Sequence, residues 1–174
     1  MFYGNVSSYI QFPNKGRLDT RFSITLMCWV EPGGQDGPLF SYGFNDYSLC
    51  INIGHNGKFI YQIVKRRSFL TLPWVTTPEV LPAGKWVHVA ASYDHKTGSI
   101  SLYVNGQLRA SRNISTDYEI ATFPQNVRMG TIGSRNGNFK GKIAEMKVYN
   151  VALNEAQIQT SIRQGSCKTI CTFP

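Results

Sequence analysis

From residue 22 to residue 149 apolar side chains keep returning at every second position, and that alternation constrains the fold more than any other feature of the chain. Phe22, Ile24, Leu26, Cys28 and Val30 line one side of a strand whose other side shows Thr25, Met27 and Trp29. Leu49, Ile51 and Ile53 repeat the pattern, and further strand signals fall at 8–12, 59–64, 86–93, 99–104, 128–132 and 142–149. Between them stand Pro32-Gly33-Gly34, Asn56-Gly57, Pro82-Ala83-Gly84, Asn105-Gly106 and Asn136-Gly137, each a turn signal. With no long helices to carry crossovers, such strands pair antiparallel. Many short strands in one chain pack as two sheets, so the expected class is all-β, an antiparallel two-sheet jelly-roll sandwich. The 174 residues are expected to form one domain, with a core at about 9–162 and a cysteine-containing tail at 163–174. A domain of this size buries roughly 70% of its unfolded surface and needs no metal or disulfide merely to fold.

One short C-terminal helix interrupts the strands. Asn154 is placed to cap it, Gln157 stands where a capping-box partner belongs, and Leu153 can staple onto Ile158. Ile162 extends the apolar stripe and Gly165 supplies the stop. A helix apolar on one side packs against a sheet.

Eighteen Lys and Arg against ten Asp and Glu give a net charge of +8, which favours acidic partners. No nucleic-acid-binding motif accompanies the charge, and no stretch approaches the eighteen or so apolar residues of a membrane span. Nucleic acid and membrane insertion are therefore set aside. The one run of three cations is Lys65, Arg66 and Arg67, the candidate site for a heparin-like glycan, with a solvated hairpin end as the alternative. Met1 leads directly into Phe2-Tyr3-Gly4-Asn5 without a basic and then apolar leader, which reads as a mature form or an excised piece. Two sequons, at Asn5 and Asn113, and an even count of four cysteines point to an extracellular or secreted setting.

The segments "SSYIQFP", "RFSITLMCWVEP", "PLFSYG", "GKWVHVAASYD", "GSISLYVNGQ", "TIG" and "NFKGKIAEMKVYNVALNEAQI" follow one another in an order that resembles the laminin G-like and pentraxin-like domains of the concanavalin A-like jelly-roll class. The resemblance runs over about residues 9–162. It implies two curved antiparallel sheets with a ligand surface on loops or on the concave face. It implies no activity, because relatives include lectins, adhesion modules and glycosidases. In place of the inter-strand disulfide of pentraxins this chain has Leu26 and, roughly, Ala90. Cys28 and Cys50 instead pair if their strands are neighbours, and Cys167 with Cys171 can close a small loop. In "YGFNDYS", Asn45 and Asp46 stand near where pentraxins hold ligands of their first calcium, so one calcium ion is weighed there against a plain turn aspartate. The later "GSRNGNF" carries no acid, and a paired calcium site is not expected.

Catalysis finds little support among the side chains. Glycoside hydrolysis needs two carboxylates about 5–9.5 Å apart across the scissile bond, and only Asp117 with Glu119 has strand-face spacing. His88 and His95 are not spaced to share a strand face, zinc would need three or four clustered ligands, and no Gly-x-Ser-x-Gly elbow presents a nucleophile. The expected function is a non-catalytic extracellular binding or adhesion module for carbohydrate, acidic or sulfated. A matrix or receptor domain that binds proteins is the alternative, with a divergent glycosidase behind it.

Overall fold

The computed structural model describes residues 1–43, 48–66, 72–116, 118–122, 126–132 and 137–165. Two six-stranded antiparallel sheets face each other. The first has the order β1 (Phe2–Tyr3), β12 (Lys140–Tyr149), β3 (Ile24–Gln35), β8 (Val87–Asp94), β9 (Ser99–Val104) and β10 (Gln107–Asn113). The second runs β2 (Ile10–Phe12), β11 (Val127–Met129), β4 (Gly37–Tyr42), β5 (Leu49–Ile53), β6 (Lys58–Gln62) and β7 (Trp74–Val80). This is the jelly-roll sandwich that the alternation predicts.

One phase of each pattern fills the space between the sheets. Ile24, Leu26, Cys28 and Val30 of β3 share a buried cluster with Leu49, Ile51 and Ile53 of β5 and with Phe59 and Tyr61 of β6. Fully burying a side chain of this size stabilises the fold by roughly 1.5–3 kcal/mol relative to leaving it exposed. Where the chain crosses from β3 to β4, Gly37 has φ 151°, and a Cβ there would lie 2.2 Å from the Phe139 backbone nitrogen. Only glycine fits that corner.

The hairpin of β8 and β9 is tied by its own turn residues. Asp94 accepts from the Lys96 N–H (3.1 Å) and the Thr97 hydroxyl (2.8 Å), which ties the turn. At the next reversal Asn105 (φ 50°) and Gly106 (φ 77°) take the left-handed conformations of a tight hairpin turn. Two residues depart from expectation: Trp86 and Phe22 are 45% and 49% exposed and lie outside the strands rather than packing within them.

Helix α1 (Glu155–Gly165) begins with the predicted capping box. The Gln157 N–H donates to Asn154 Oδ1 (3.0 Å) while the Asn154 N–H donates to Gln157 Oε1 (2.9 Å). Its stripe of Ile158 and Ile162, with Leu153, packs on Met27, Ala90 and Tyr103. These belong to the outward phase of β3, β8 and β9, so the helix covers the outer face of the first sheet.

Candidate functional site

The outer face of the second sheet is built from the polar phase of the same alternation. In β5, Leu49, Ile51 and Ile53 go to the core, which sends Cys50 and Asn52 outward; in β6, Phe59 and Tyr61 do so, which sends Ile60 and Gln62 outward. Register then aligns one residue from every strand. Gln11 of β2 faces Arg128 of β11, Arg128 faces Ser41 of β4, Ser41 faces Cys50 of β5, Cys50 faces Gln62 of β6, and Gln62 faces Trp74 of β7. Five interstrand gaps of about 4.8 Å make this row roughly 24 Å long. Pro38, Asn52, Ile60 and Thr76 form a second, parallel row.

Trp74 is 52% exposed at the edge of this face. Its carbonyl accepts from Arg112 of β10 (3.3 Å), and Arg109 of β10 pairs with Glu79 of β7 at 2.6 Å, so the first sheet braces the strand that presents it. At the opposite edge the Arg128 guanidinium donates through Nε to Gln11 Oε1 (3.0 Å) and lies 5.0 Å from the Tyr9 ring centroid. A groove of about 290 Å³ opens beside the second row, with Cys50, Asn52 and Ile60 in its lining and Asp36 and His55 at its wall. His55 Nδ1 and Asp36 Oδ2 stand 2.8 Å apart. Of the described residues lining the groove, Asp36 alone carries a carboxylate.

The outer face of the first sheet is chemically unlike this one. His88 of β8 projects there with Trp29 edge-on at 5.4 Å, and its buried Nδ1 meets no hydrogen-bond partner among the described residues. Burial, with the nearby Lys147 ammonium, pushes the imidazole down to about 4. It is a neutral packed histidine.

The residues singled out from the sequence are scattered. Cys28 faces the core from the first sheet and Cys50 faces outward from the second, and no disulfide joins them. The expected bridge is thus corrected, because its condition of neighbouring strands is not met. Burial pushes the Cys28 thiol up to about 12, so it is an inert core side chain. Arg66 pairs with Asp19 at 2.5 Å and its N–H donates to the Glu119 carbonyl, while Lys65 bridges to Ile120 and lies 5.6 Å from the Tyr118 ring centroid. These two residues tie the end of β6 to residues 118–120. Arg67, Asn45, Asp46, Cys167, Cys171 and Asp117 lie outside the described residues. Glu119 pairs with Arg21 at 2.8 Å. No three His, Cys, Asp or Glu side chains that could hold a metal come together among the described residues, so these alone do not fit a calcium ion. Asn5 and Asn113 of the sequons are exposed.

Two facing antiparallel sheets, one outer face covered by a helix and the other bearing a polar row, define a jelly-roll sandwich. The chain belongs to the concanavalin A-like lectin/glucanases superfamily, whose laminin G-type family model matches residues 4–159. No curated protein sequence matches it. Among solved structures it is similar to the native heptameric SAP-like pentraxin of Limulus polyphemus, with 18% identity, TM-score 0.63, and 87% of this chain and 74% of that one covered. It is similar too to the CBM40 of the Ruminococcus gnavus IT-sialidase bound to alpha2,3 sialyllactose, with 16% identity, TM-score 0.64, and 82% and 83% covered. The botulinum neurotoxin serotype G binding domain superposes with TM-score 0.74 at 14% identity over 95% of this chain, which spans only 42% of that one. At these identities the likeness is one of fold.

Proposed function

We propose that this domain is a non-catalytic carbohydrate-binding module and that the glycan lies along the outer face of the second sheet. The observation that carries this is the cross-strand row Gln11, Arg128, Ser41, Cys50, Gln62 and Trp74. The amides of Gln11 and Gln62 and the Arg128 guanidinium offer donors and acceptors for sugar hydroxyls, and an exposed indole offers a flat apolar surface for the C–H face of a pyranose, while Ser41 and Cys50 in the middle of the row are buried. A carbohydrate-binding module of Ruminococcus gnavus holds a sialylated sugar on a similar fold, which supports the reading. Binding without cleavage is proposed because Asp36 has no second carboxylate beside it among the described groove residues, and hydrolysis calls for two. The net charge of +8 favours an acidic or sulfated glycan. The row, rather than Lys65, Arg66 and Arg67, is the site we propose, since Arg66 already serves Asp19. An extracellular setting belongs to the same proposal.

A glycan array followed by calorimetric titration of the best ligand tests this. Trp74→Thr keeps strand propensity and removes the indole, and it is expected to weaken binding about tenfold or more, as loss of an aromatic anchor does. Unchanged affinity would move the site elsewhere, and release of reducing sugar by the wild type would replace binding with catalysis. Repeating the titration after chelation tests a role for calcium at Asn45 and Asp46, and affinity is expected to hold.

A further inference from the structure

We infer that the side of the sandwich where the edge strands β1 and β2 meet is a docking surface for an anionic phospholipid bilayer, into whose interfacial region a few side chains reach without spanning it. Sheet phase is the first support. Ile10 and Phe12 of β2 stand opposite the core residues Met129 and Val127 of β11, so they belong to the inward phase. Yet β1 ends one sheet and β2 ends the other, and with no further strand beyond them among the described residues Ile10 and Phe12 are 47% and 41% exposed. Tyr3 of β1 and Val6 of the turn between the two strands add side chains that are 65% and 58% exposed. A cavity of about 430 Å³ opens at this side, with Phe2, Tyr3, Ser8 and Ile10 in its lining. The turn is tied to the body of the sandwich: the Tyr3 N–H donates to Ser8 Oγ (2.8 Å), the Gly4 N–H to the Phe139 carbonyl (3.2 Å), and Gln35 Nε2 to the Gly4 carbonyl (2.9 Å).

Charge decides what covers this surface. Residues 1–18 contain no Asp or Glu, and neither do residues 126–132 and 137–144, which hold the segments paired with β1 and β2. Lys140, opposite Tyr3, and Lys15 and Arg17, on the loop after β2, are exposed, and no carboxylate among the described residues pairs with them. The acids on adjoining elements, Asp19, Glu31 and Asp36, are engaged by Arg66, Lys142 and His55. A second copy of this chain brought to the same surface about a two-fold axis would set cation against cation. An added peptide strand would find only the three residues of β2 to pair with. An apolar surface rimmed by cations complements acyl chains beneath anionic headgroups, and Tyr3 carries the ring and hydroxyl that suit the boundary between them. The inference does not depend on the glycan reading, since Ile10 and Phe12 use the opposite phase of β2 from Gln11. Asn5 lies in the same turn, so docking and an N-glycan at Asn5 exclude each other.

Cosedimentation with vesicles of phosphatidylcholine alone, or of phosphatidylcholine with phosphatidylserine, tests this on the whole chain. The wild type is expected to bind the phosphatidylserine vesicles at least about tenfold more tightly, as a few cations near an anionic surface allow. Raising salt from about 0.1 M to about 1 M, which shortens the screening length from about 10 Å to about 3 Å, is expected to release most of the protein. Changing Lys15, Arg17 and Lys140 together to Ala is expected to erase the preference; all three are exposed, so this variant keeps the test decisive if the next one fails to fold. Tyr3→Ser with Val6→Ser is expected to weaken binding about tenfold or more through loss of apolar contact, and both variants should titrate with glycan as the wild type does. Equal binding of the wild type to the two kinds of vesicle, or to neither, would overturn the inference, as would vesicle binding that neither variant alters. A wild type that sediments as a dimer and becomes a monomer in Tyr3→Ser with Val6→Ser would give the surface to a second copy instead. An N-glycan found at Asn5 on the chain secreted from eukaryotic cells would overturn it as well.

Discussion

The two outer faces of this sandwich are made by sheets of equal strand number, yet one is closed under a helix and the other, buried at Ser41 and Cys50, opens toward its edges. On the first sheet the outward phase is Met27, Ala90 and Tyr103, and α1 seals it with Ile158. On the second it is Arg128, Ser41, Cys50 and Gln62, ending in a half-exposed Trp74. A strand apolar in both phases must be buried on both sides, whereas a strand apolar in one phase can leave the other to solvent and ligand. The difference teaches that stability and recognition are allotted to different faces, so that damage to one should spare the other.

The largest effect is expected on the closed face. Ile158 is fully buried between α1 and the first sheet, and Ile158→Ala should cost about 4 kcal/mol, within the usual 2–5 for such a truncation. Urea denaturation measures the loss. Glycan affinity of the remaining folded protein should be unchanged, and a parallel fall in affinity would show that the two faces are coupled.

A somewhat smaller effect is expected from acid. Burial lowers His88 from its ordinary 6.5 to about 4, so between those values the unfolded chain binds a proton that the folded chain refuses. Stability is therefore full above about pH 6.5 and falls as pH drops toward 4, by up to about 3 kcal/mol at 1.36 kcal/mol per pH unit. His88→Gln should flatten that part of the curve of denaturation midpoint against pH. If the variant and the wild type fall in parallel, His88 is not the group responsible.

Much of this contrast was legible in the residues themselves. The apolar outward phase of β3 and the capping box at Asn154 announce a covered face, and the alternation in β5 announces an open one. What could not be read was the row, because a row is a fact of register between strands distant in sequence. Three of its neighbours were also disguised. β4 opens on Gly37-Pro38 and β7 contains Pro78, residues that argue against strands yet are tolerated at a strand's start and on a sheet edge. β10, "QLRASRN", has no apolar alternation, because it is an edge strand with both faces largely in water. Trp74 consequently falls outside every strand that the alternation predicts. The basic run at 65–67 drew attention for its charge, while Arg128, a single cation between two core residues, gave no compositional signal.

The smallest stability effect is expected where the binding effect is largest. Trp74 is half exposed on an edge strand, and the strand is held by its carbonyl and by the Arg109–Glu79 pair rather than by the indole. Trp74→Thr leaves the backbone contact in place and substitutes a residue equally at home in a strand, so the denaturation midpoint should move by no more than about 0.5 kcal/mol. A large loss of stability in that variant would mean that the indole supports the fold, and the open face would then resemble the closed one more than its polar row suggests.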